Sequence, residues 1–133
     1  MSAPNSPQPS HRAWLKKADH DILAIESMIA GKRVPWDNVC FHAQQAAEKI
    51  LKAFLVFHGQ IPKKTHDCVS LLVECAQIAP TLSTWEADCR YVTRYGVAPR
   101  YPDIARDPTK KQAIAAVAAM HRIRAAVLTL MPK

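Results

Sequence analysis

The stretch DNVCFHAQQAAEKILKAFLVFHG, residues 37–59, decides the fold. At 100° per residue, Cys40, Ala43, Ala47, Ile50 and Phe54 share one sector, the signature of a helix with a buried face. His42, Gln45, Lys49 and Lys52 fall within about 80° of one another on the opposite side. Asp37 suits the N-cap position, and Gly59 and Pro62 end the helix near His58. Small side chains at Ala43, Ala46 and Ala47 allow a neighbouring helix to approach closely.

Outward from this helix the chain keeps a helical period. Trp14, Ala18, Ile22, Ile25 and Ile29 recur at spacings of three and four, which predicts a first helix over about 10–30, stopped by Gly31. Thr65 reads as the cap of a third helix carrying Cys68, Val69, Leu71, Leu72 and Cys75 and ending near Pro80. Ser83 and Glu86 have capping-box spacing, which predicts a fourth helix to about Tyr95. Residues 96–108 hold several prolines and read as a loop. Asp107 and Pro108 then read as N-cap and first residue of a last helix, Thr109 to about Leu130. The expectation is an all-α, up-and-down antiparallel bundle of four main helices plus a shorter one, because short connections favour antiparallel neighbours. Residues 1–10 are Pro- and Ser-rich and read as a disordered tail, with the domain spanning 11–133.

Composition sets outer limits. Three glycines in 133 residues are too few for an all-β protein with its many tight turns. No apolar run approaches the ~20 residues of a membrane span, and no charged n-region leads into an apolar stretch, so a cytoplasmic protein is expected. Cys40, Cys68, Cys75 and Cys89 lack C-x-x-C pairing and read as small core hydrophobes; a metal site of Cys68, Cys75 and His66 is the less favoured alternative. Up to Cys89 the chain has nine basic and nine acidic residues; from Arg90 onward it has nine basic and two acidic, so the whole excess of +7 lies in the last third. A localised positive field of this kind suits an anionic partner, or simply a solvated surface.

Four segments, in order, carry a family resemblance. FHAQQAAEKILKA (41–53) resembles the signature helix of HEPN domains. WLKKADHD (14–21) resembles the first helix of that family, KTHD (64–67) the start of its third, and RYP (100–102) its loop. The resemblance implies a helical bundle, frequent homodimers and a role in nucleotide or RNA biology, often beside a small nucleotidyltransferase in a toxin–antitoxin arrangement; no cofactor is expected. Catalytic members resemble one another in an Arg followed four to six residues later by His. That pair supplies a proton-transfer group and a cation for the phosphorane. No Arg in this chain has a His at that spacing. No Gly-rich phosphate loop, nucleophile elbow or carboxylate pair stands in its place.

The expected function is therefore a non-catalytic, dimeric binding module for nucleotide or RNA, or a partner of a nucleotidyltransferase. Its candidate contacts are His42, Gln45, Lys49, Lys52, Lys63, Lys64, His66, Arg94, Arg100 and Tyr101, with no catalytic or metal residue. Tyr95 or Tyr101 would stack on a base, and the start of the third helix would favour an anion. The alternatives are a metal-independent ribonuclease toxin with a non-standard pair such as His66 and Arg100, and a purely structural interaction module. His121 shares a helix face with Ile114, Val117 and Ala118 and is expected to be buried or at an interface, and the apolar last helix points to self-association.

Overall fold

The computed structural model describes residues 8–96 and 107–132. Five α-helices follow in order: α1 His11–Ile29, α2 Trp36–Phe57, α3 Cys68–Ile78, α4 Glu86–Thr93 and α5 Lys110–Thr129, with a 3₁₀ turn, Pro80–Trp85, leading into α4. No strand occurs among the described residues, and the all-helical bundle stands as expected. Its caps do not. Pro35, without a side-chain bond, precedes α2, and Asp37 lies inside the first turn, where its carboxylate accepts from Asn38 N–H. Asp67, not Thr65, caps α3 by accepting from Val69 and Ser70 N–H. Ser83 donates to Pro80 O inside the 3₁₀ turn and forms no capping box. Thr109 and Gln112 form one instead, so α5 begins two residues after Pro108. Ahead of α3 and α5 several Asx or Ser/Thr residues cluster before the apolar run, and composition does not choose among them; α2 and α4 start without any side-chain cap. The expected tail falls partly, and the 96–108 loop largely, outside the described residues.

The ends of α2 and the path after it set the topology. Gly59, at φ 78, closes α2: Gly59 N–H bonds Val56 O and Gln60 N–H bonds Leu55 O, a Schellman cap. The chain then returns along the bundle before α3 begins. His11 packs on Phe57, Lys52 sits over Trp14, and Lys49 reaches Asp21, so α1 and α2 are antiparallel. On the other flank Cys68 Sγ lies 4.0 Å from Gln44 O and Cys75 Sγ 3.5 Å from Leu51 O; the numbers rise together, and α3 runs in the same sense as α2. Antiparallel order resumes afterwards, with Cys68 N–H bonded to Thr93 at the end of α4, and Asp88 and Tyr91 of α4 meeting Arg122 and Gln112 O of α5. Strict alternation thus holds everywhere except across residues 58–67.

This path makes α2 the central helix, packed against α1, α3, α4 and α5. Ala43, Ala46 and Ala47 are fully buried, as close helix approach requires, beside Ile50, Leu51, Phe54 and Leu55. The α1 face opposite runs Ala18, Asp21, Ile25 and Met28; Ile29 is 37% exposed. All four cysteines are free and buried. Burial pushes the Cys40 thiol up to about 11 and those of Cys68 and Cys75 up to about 12. His121 is exposed on the outer face of α5, one helix face away from Ala119, Met120 and Ile123, which point inward.

Candidate polar site between the first three helices

Because α1 covers the side of α2 that reads as polar, the stripe of His42, Gln45, Lys49 and Lys52 is a seam between helices instead of an open face. Two buried acids organise it. Asp21, 6% exposed, receives His42 Nδ1 on Oδ1 at 2.7 Å and Lys49 Nζ on Oδ2 at 2.6 Å. Glu48, 4% exposed, receives His66 Nδ1 on Oε1 at 2.8 Å and Lys52 Nζ on Oε2 at 2.8 Å. Burial alone would raise the Glu48 carboxyl, but hydrogen bonds from Lys52, His66 and Gln44 and the Lys52 charge outweigh it and hold the group below its ordinary range.

Gln44 extends the Glu48 side. It is fully buried, and its amide Nε2 donates to Glu48 Oε1 (3.2 Å) and to His66 O (2.7 Å). Both partners only accept, so the amide has one orientation; its Oε1 must face outward, where Gln45 Nε2 donates to it at 2.7 Å. A relay thus runs from buried Glu48 through Gln44 to half-buried Gln45. Gly96, the last described residue before 97–106, passes so close to this relay that a Cβ there would lie 3.5 Å from the Gln44 amide.

The candidate contacts therefore separate into groups. His42, Gln45 and His66 share the seam, with the His66 side chain 72% exposed and that of His42 30%. Lys49 and Lys52 are each held by an acid, and Lys52 is buried with its ammonium over the Trp14 ring, a departure from the outward stripe. Lys63 lies 3.8 Å from Glu74, and Lys64 is exposed. Arg94 is exposed with its guanidinium 4.5 Å from the Tyr91 ring centre. Tyr95 is half-buried with its edge on Tyr91, and burial first, then the Tyr91 hydrogen bond, pushes its hydroxyl up to about 12. Arg100 and Tyr101, with the His66–Arg100 pairing, lie outside the described residues. The start of α3 does not offer free N–H groups: Asp67 takes those of Val69 and Ser70, and Thr93 takes that of Cys68, so a carboxylate already occupies the expected anion position. Among the described residues no three His, Cys, Asp or Glu side chains are grouped to hold a metal ion.

Sequence reasoning missed Asp21, Gln44 and Glu48. Their signals are present. Asp21 occupies the core register of α1 between Ala18 and Ile25, where a carboxylate needs partners, and Glu48 and Lys52 have the i,i+4 spacing of a helical ion pair.

The HEPN domain family matches residues 11–130, nearly the whole chain. The chain belongs to the HEPN family. Two solved structures share its fold. TT1696 from Thermus thermophilus is 26% identical, with a TM-score of 0.78 over 92% of this chain and 98% of that one. ST0689, described as an archaeal HEPN homologue, is 23% identical, with a TM-score of 0.74 over 94% of this chain and 100% of that one, and shows the fold alone. No curated protein matches. Among the described residues of this HEPN chain, no helix is long and apolar enough to cross a membrane.

Proposed function

We propose that this HEPN chain is a non-catalytic binding module that holds a nucleotide or RNA against the strip His42–Gln45–His66. The observation that carries the reading is the doubled arrangement of an imidazole at the surface held from behind by a buried carboxylate, with an oriented amide in the same seam. Such a strip is fixed before any ligand arrives, which lowers the entropy cost of binding. Lys63, Lys64 and Arg94 supply positive charge from the neighbouring elements, and Arg100 and Tyr101 belong to the segment that follows Gly96. Lys49 and Lys52, neutralised by Asp21 and Glu48, serve to hold those acids and not the ligand. Homodimerisation and partnership with a nucleotidyltransferase, which the family resemblance suggests, are compatible with the same reading.

A thermal-shift panel of ATP, GTP, CTP, cyclic nucleotides and short RNAs, at low and moderate salt, tests it. A shift of several degrees that weakens with salt is expected, since a ligand at 100 times its Kd adds about 2.7 kcal/mol. No shift with any of them would leave only a protein-partner role.

A second reading, a metal-independent ribonuclease, is favoured by one feature: a carboxylate-held imidazole is also the arrangement of a general base. The family's Arg–His spacing is absent, which ranks it second. Metal-independent cleavage of labelled RNA, abolished by His42→Ala or His66→Ala, would reverse the order.

A further inference from the structure

How the two imidazoles are held decides what they can read. An ionised carboxylate accepts and never donates, so the ring nitrogens at Asp21 and Glu48 must carry the hydrogen. In an imidazole with one proton this leaves Nε2 bare, as an acceptor. Each acid is pinned at its other oxygen by an ammonium, Lys49 on Asp21 and Lys52 on Glu48, so neither is free to turn away. No other described residue is bonded to either Nε2. Phe41 meets the His42 ring edge-on, and Gln44 ties down the His66 carbonyl.

The helical wheel places these groups side by side. At 100° per residue, His42 and Lys49 point toward α1 and Gln44 and Glu48 toward the segment before α3, with Gln45 between them. Gln45 gives one N–H to Gln44, leaving its own Oε1 available. The strip therefore offers three acceptors: His42 Nε2, Gln45 Oε1 and His66 Nε2. Acceptors in a row repel phosphate oxygens and select donors. On the sugar of a nucleotide the donors are hydroxyls, while its phosphate is left to Lys63, Lys64 and Arg94.

We infer that Asp21 and Glu48 are positioning residues that make His42 and His66 acceptors for ribose hydroxyls, so that the site prefers ribonucleotides to 2′-deoxyribonucleotides. The inference rests on the nucleotide- or RNA-binding reading and adds to it the tautomers and the selectivity they confer.

Fluorescence anisotropy with labelled single-stranded RNA and DNA of one sequence, at about pH 8, above the ordinary imidazole range, and at low salt, reads the selectivity. RNA should bind about fivefold more tightly, what one net hydrogen bond is worth. Asp21→Asn, which can donate as well as accept, should bring the ratio toward one with helical content unchanged. Equal affinity of the native protein for RNA and DNA overturns the inference and leaves the binding reading standing; no binding of either overturns both. Should Asp21→Asn fail to fold, ¹H–¹⁵N correlation spectra of the native protein decide on their own. His42 and His66 should show a protonated Nδ1 and a bare Nε2, and the opposite tautomer at both would sink the proposal.

Discussion

At Glu48 three donors converge on one buried carboxylate and hold its pKa below the ordinary value of 4.5. The unfolded chain therefore takes up a proton before the folded one does, so stability rises with pH across that window. The Glu48 contribution is fully present above about pH 4.5 and is lost as pH falls through the lower, folded-state value. Thermal melts between about pH 7 and pH 3 should show Glu48→Gln less stable than the native protein at neutral pH, with the difference narrowing on acidification. Asp21→Ala leaves His42 and Lys49 without their buried acceptor and should cost about 3 kcal/mol in urea unfolding, as breaking a buried pair does. At this scale the sequence showed the outward members of the site and hid the inward ones. His42, Gln45 and Lys49 stand out because they interrupt an apolar wheel. Gln44 hides among buried alanines, and the acid that His66 meets is fixed only once residues 58–67 fold back.

Among the helices, termini are where local chemistry is open to choice. Residues 64–67 offer both Thr65 and Asp67 as caps for α3; Asp67 prevails because its carboxylate reaches two N–H groups while Thr65 caps only the turn before. Asp67→Ala should cost about 1 kcal/mol and Thr65→Ala much less, by urea unfolding. Gly59→Ala should cost about 1 kcal/mol through backbone strain alone, since an added Cβ meets nothing within 4 Å at that positive φ. The helices themselves were legible from apolar spacing, because burial on one face writes itself into the sequence. Their first residues were not, because Ser, Thr and Asp compete within a few positions. Nor was the direction of α3, since the length of residues 58–67 suits a return along the bundle as well as a turn at its end.

For the molecule as a whole, the outer face of α5 carries Ile114, 45% exposed, with half-buried Val117, Ala118 and Leu128. Self-association through this face is expected. Light scattering should give a dimer at micromolar concentration and Ile114→Glu should shift it toward monomer; a native monomer would count against the prediction. The central place of α2 also bears on how the protein is made. Its pairing with α1 joins neighbours in the chain and can form while translation continues. The wall of α2 that α5 covers stays bare until residues 110–129 leave the ribosome. A nascent chain paused before Lys110 would present that wall to holdase chaperones, and α5 is the piece whose arrival releases it.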